Sequence, residues 1–175
     1  MRSNRAAGTA GWGKVAGAAF LALGATMFSE LASAEEGLFA GLAGSWRGEG
    51  SLKWATGENE RMRCTAKYEV TEDGNKIEQD MVCATDSTRL VVKSDITYRP
   101  AAGVITGQWS ERGYGINGWV TGTAKTGSID ANVESRDKSF SAKVGIMMQE
   151  GSQIVTIQPK NLDVTEALVT MEPTS

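Results

Sequence analysis

The chain has no histidine and only two cysteines and three prolines in 175 residues. Without histidine the commonest general base and metal ligand is missing. With two cysteines and no histidine, no zinc site of ordinary composition can be built, so neither metal nor cofactor is expected. Aromatic residues make up only 7% of the chain, and the net charge is −3. An acidic balance argues against nucleic acid as a partner, because affinity there rests on Lys and Arg neutralising phosphates. Beyond the first 34 residues no apolar run is long enough to span a bilayer as a helix.

The first 34 residues read as an address. Arg2, Arg5 and Lys14 precede the apolar run Val15–Phe28, and Ala32-Ser33-Ala34 forms a small-x-small site before Glu35-Glu36. This is the layout of a secretory signal peptide, with cleavage expected after Ala34 and a periplasmic or secreted destination. The run is shorter than the roughly 20 residues a membrane-spanning helix needs. Removing Arg2, Arg5, Lys14 and Glu30 leaves 15 basic and 20 acidic side chains. Residues 35–175 are long enough for a single domain with its own core.

Both cysteines lie in RMRCTAKYEVTEDGNKIEQDMVC, residues 61–83, on either side of Asp73-Gly74. Folded as a hairpin about that dipeptide, the segment pairs Val70 with Ile77, Tyr68 with Gln79, Ala66 with Met81 and Cys64 with Cys83. The apolar residues then share one face, because strand side chains alternate. Arg63, Thr65, Lys67 and Glu69 share the other. A slip of one residue would separate the cysteines and break the apolar face together. A Cys64–Cys83 disulfide is expected, and an exported chain meets the oxidising conditions in which it persists. Two-residue and four-residue loops both keep this pairing.

The remaining chain repeats the alternation. Leu90, Val92, Ile96 and Tyr98 oppose Lys93, Asp95 and Thr97, and Ile129, Ala131 and Val133 oppose Asp130 and Asn132. Phe140, Ala142, Val144, Ile146 and Met148 oppose Ser141 and Lys143. Turn residues recur at roughly 8–12-residue spacing, as in a meandering barrel or sandwich. The expected fold is all-β, an antiparallel up-and-down barrel of about 8–10 strands, with a two-sheet sandwich as the alternative. Residues 35–44 (EEGLFAGLAG) are the one helical candidate, a short turn whose Leu38, Phe39 and Leu42 could plug one barrel end. Charges on the expected outer faces, among them Arg63, Lys67, Glu78, Asp80 and Lys93, oppose a lipid-facing barrel.

Gly44-Ser45-Trp46 resembles the G-x-W that opens the first strand of lipocalins and other calycins, where the tryptophan closes an apolar cup. ERMRCTAKYEV, MVCATDSTRL and ITGQWSERGYGINGWVTG resemble segments of a group of small exported all-β proteins of alphaproteobacteria. That resemblance implies a periplasmic origin and the Cys64–Cys83 bridge, and says nothing of a substrate.

No motif carries recognisable catalysis, so an enzyme is not expected. Gly113–Gly118 (GYGING) matches G-x-G-x-x-G, but strand-like Trp119-Val120-Thr121 follows where a dinucleotide fold needs a helix. Ser87, Ser110 and Ser139 lie near Lys93, Lys138 and Lys143, and Glu111 and Asp130 are candidate paired carboxylates, but no spacing singles any out. A binding site would be lined by Trp46, Tyr68, Trp109, Ile116 and Phe140 with Gln79 as the polar contact, joined by Trp54, Ile105 and Val144. Gly107, Gly118 and Ala131 would leave room beside them. The expected partner is a small apolar or amphipathic ligand. The alternative is an envelope protein, met by the loops KWATGENE and SERGYGING, with the core filled.

Overall fold

A computed structural model describes residues 37–174. The signal peptide expected over residues 1–34 lies outside them. The described chain is all-β, with ten strands: β1 (Gly44–Trp54), β2 (Asn59–Val70), β3 (Lys76–Ala84), β4 (Arg89–Arg99), β5 (Val104–Glu111), β6 (Ile116–Lys125), β7 (Ser128–Ser135), β8 (Ser141–Gln149), β9 (Ser152–Lys160) and β10 (Val164–Pro173). Each pairs antiparallel with its sequence neighbour, and β1 closes the ring on β10. This is an up-and-down barrel at the upper end of the expected strand count, and the sandwich alternative falls away.

The β2–β3 hairpin keeps the register read from the sequence. Cys64 pairs with Cys83, Ala66 with Met81, Tyr68 with Gln79 and Val70 with Ile77. The two cysteines form a disulfide, with Cα atoms 4.1 Å apart, close to the spacing of a non-hydrogen-bonded antiparallel pair. The loop has four residues. Thr71 N donates to Lys76 O, and Gly74 N donates to Thr71 O at 2.8 Å. Gly74 takes φ +67°, a left-handed conformation that glycine adopts without a Cβ penalty. Asp73 Oδ1 accepts from Asn75 N at 3.1 Å and from the Thr71 hydroxyl.

That loop also anchors the plug. Phe39 N donates to Gly74 O at 2.8 Å, and Trp46 Nε1 donates to Leu42 O at 2.9 Å. Ala40–Leu42 form one turn of 3-10 helix. Phe39 is fully buried, and Leu38 and Leu42 pack against the same core. The end of the barrel carrying the β2–β3 loop is therefore capped by the residues expected to cap it.

Alternation sorts the side chains. Inward go Met62, Cys64, Ala66 and Tyr68 from β2, Ile105 and Trp109 from β5, and Ala167, Val169 and Met171 from β10. Outward, β1 to β4 carry ion pairs: Glu49 with Arg61 and Arg63, Lys67 with Glu69, Lys76 with Glu78 and Asp95, and Lys93 with Asp80. Exposed pairs of this kind add little stability, but they keep this face wet.

The inward-facing glycines correct an expectation. A Cβ at Gly107 would lie 2.3 Å from Asp95 O, and one at Gly118 would lie 1.9 Å from Glu134 O. These glycines do not leave room in the lumen. They let neighbouring backbones approach where the strands bend into the ring, a usual role for glycine within a closed sheet.

The disulfide closes a 19-residue separation. The double variant Cys64→Ala/Cys83→Ala is expected to lose about 2–4 kcal/mol of stability, read from the shift in urea midpoint.

Candidate functional site

Register assembles the inner wall of the barrel. Inward residues that pair across successive strands form a row: Tyr68 with Gln79, Gln79 with Ser94, Ser94 with Trp109, Trp109 with Gly118, and Gly118 with Ser135. Three of the side chains expected at a site, Tyr68, Gln79 and Trp109, thus stand in one band. Phe140, just before β8, meets the Trp109 ring edge-on with centroids 5.4 Å apart. Trp46 belongs to the capped end, tilted against Tyr68 at 6.0 Å. Ile116 pairs with Glu111 at the opposite end. Trp54 sits at that rim, its Nε1 donating to Glu60 Oε1 at 2.8 Å.

The band is polar within an apolar interior. Ser94 Oγ donates to Gln79 Oε1 at 3.1 Å, and the Gln79 amide nitrogen has a thioether contact, Met81 Sδ at 3.3 Å. Gln153, almost fully buried, donates from Nε2 to the Tyr68 hydroxyl at 3.2 Å. Burial pushes the Tyr68 phenol up to about 12, with the Gln153 hydrogen bond pulling weakly the other way. Tyr68 is therefore neutral at any ordinary pH. Trp109 is 8% exposed, and its Nε1 is buried with no hydrogen-bond partner. Around the band, Met81, Ile96, Tyr98, Ile116, Val133, Phe140, Val144, Ile146, Met148 and Ile157 point inward yet remain only partly buried.

Ser94, Gln153 and Ser135 were missed in the sequence. Ser94 falls in phase with Leu90, Val92 and Ile96, and Gln153 in phase with Val155 and Ile157, so alternation alone marks both as inward.

The candidate catalytic groups are dispersed. Glu111 is buried and its carboxylate ties down the β5–β6 turn, accepting from Val91 N at 2.8 Å and Tyr114 N at 2.6 Å. Burial pushes its pKa up, but these bonds and the Gly113 N–H outweigh it and hold the group below the ordinary value. Asp130 faces outward from β7, so the two carboxylates do not share a site. Lys93 and Ser110 are register partners on the outer face, but the Lys93 ammonium is held by Asp80 at 2.6 Å. Ser87 donates to Glu60 and Ser139 to Asp137. Among the described residues no cluster of His, Cys, Asp or Glu is arranged to hold a metal ion, and no helix is long and apolar enough to cross a membrane.

No protein-family model and no curated protein sequence matches the chain. Among solved structures, the barrel resembles that of an S-type phycobiliprotein lyase from Guillardia theta, with a TM-score of 0.58 and 12% identity. The match covers 78% of this chain and 90% of that one. At this identity the likeness is one of fold. It agrees with the antiparallel up-and-down barrel expected from the strand pattern.

The Glu111 carboxylate gives the fold a pH signature. Because folding lowers its pKa, its contribution is fully present above the ordinary value of 4.5 and is lost as pH falls through the lowered value. Glu111→Gln is expected to cost about 1–3 kcal/mol at neutral pH. The deficit should shrink toward acid, as measured by urea midpoints across that range.

Proposed function

We propose that the chain is exported and that its barrel binds a small apolar or amphipathic molecule without catalysis. The lining would be Trp46, Tyr68, Gln79, Trp109, Ile116 and Phe140. The observation that carries this reading is the Trp109 indole N–H, buried on the lumen wall with no partner. In a dry, filled core such a group costs about 1–3 kcal/mol, and a molecule in the lumen would satisfy it. The partly buried inward side chains support the same reading. So does the strand count, because eight strands already make a barrel that side chains can fill and ten make a wider one.

Export rests on the leader pattern of residues 1–34 and fits the Cys64–Cys83 disulfide, which an oxidising compartment maintains. N-terminal sequencing of the protein from the periplasm is expected to begin at Glu35.

The second reading is an envelope-associated interaction protein. It is favoured by Tyr114, 67% exposed in the β5–β6 turn within SERGYGING, and by the cation–π stack of Arg136 on exposed Trp119. Native mass spectrometry of gently isolated protein and tryptophan fluorescence with a panel of apolar ligands separate the two. Lumen binding predicts a co-purifying mass, and saturable quenching that Trp109→Ala weakens with the circular dichroism spectrum unchanged. A protein with no added mass and no response to any ligand favours the Tyr114 surface.

A further inference from the structure

The charge distribution of the lumen narrows the ligand class, and this step rests on the lumen reading above. Every lysine and arginine of the ten strands occupies an outward position; among them Arg47 and Lys53 on β1, Arg61, Arg63 and Lys67 on β2, Lys93 on β4 and Lys143 on β8 are exposed. Among the described residues, the charged side chains in phase with the inward face are Glu60 and Glu111. Both are acidic and both are already engaged, Glu60 by Trp54 and Ser87 and Glu111 by backbone N–H groups. A carboxylate or phosphate taken into this lumen would lose its water and meet no cation, which is strongly unfavourable. An ammonium would find no free carboxylate.

What the lumen does offer is donors. An indole N–H donates and cannot accept, and Trp109 Nε1 has no partner. One register position beyond Ser94, the Gln79 amide nitrogen has only the poor acceptor Met81 Sδ. Ser94 joins these two residues in the row, and the apolar side chains above and below would receive a hydrocarbon body.

We infer that the lumen is built for an uncharged apolar molecule carrying a hydrogen-bond acceptor, such as a carbonyl, ester or ether oxygen, which accepts from the Trp109 indole N–H. Charged amphiphiles of the same length are excluded by the absence of a counter-charge on the inner wall.

Three probes of matched chain length test this: methyl laurate, laurate and dodecane, titrated against the mature disulfide-bonded protein at neutral pH, where laurate is ionised. Methyl laurate is expected to bind about tenfold tighter than dodecane, the worth of one buried neutral hydrogen bond. It should exceed laurate by at least as much. Trp109→Phe, which keeps an aromatic ring against Phe140, is expected to bring the ester-to-dodecane affinity ratio from about ten down to about one, whatever both affinities lose in apolar contact. Laurate binding as tightly as its ester, or an ester preference that survives Trp109→Phe, would overturn the inference while leaving a ligand-binding lumen in place. If none of the three binds the native protein, the lumen reading itself fails.

Discussion

Closure of the hydrogen-bonded sheet is the constraint on which everything else in this molecule depends. β1 pairs with β2 on one side and with β10 on the other, so every strand has two neighbours and no edge is left to recruit another chain. A closed ring has an inside and an outside, and the period-two alternation of each strand must be phased to that division all the way round. One strand out of phase would place charges in the lumen and apolar residues in water. The consistent outward placement of every lysine and arginine that the strands carry is the trace of that demand.

Closure also forces bending, and bending accounts for the inward-facing glycines. Gly50, Gly107, Gly118 and Gly122 each bring a position where a Cβ would reach 1.8–2.3 Å from a neighbouring carbonyl oxygen. In a flat sheet the same residues would be small fillers that enlarge a cavity. In a ring they are where the backbone curves, and the space they free is taken by the adjacent strand.

The polar row from Tyr68 to Ser135 follows from the same geometry. Because register partners sit side by side on the wall, five polar groups spread over 68 residues of sequence become neighbours. Three are quenched by protein partners: Ser94 by Gln79, Tyr68 by Gln153, and Ser135 by Asp137 and the Phe140 N–H. Trp109 is not. The contrast with Glu111 is instructive. Buried at the end of the same strand, it has its charge met by backbone donors and serves the turn rather than the lumen.

Local pattern was enough to determine the all-β class, the hairpin register that brings Cys64 to Cys83, and the capping role of Leu38, Phe39 and Leu42. Alternation and turn chemistry act between residues near in sequence, and a wrong register would have put charge on the apolar face. The inward orientation of Trp46, Tyr68, Gln79, Trp109, Ile116 and Phe140 was legible for the same reason. Tertiary structure alone decided which of these became neighbours, that Glu111 and Asp130 lie on opposite faces, and that Gly107 and Gly118 serve curvature. It also decided that the Trp109 N–H is left over. Those outcomes depend on the stagger between strands and on how many strands close the ring, and no window of sequence contains either quantity.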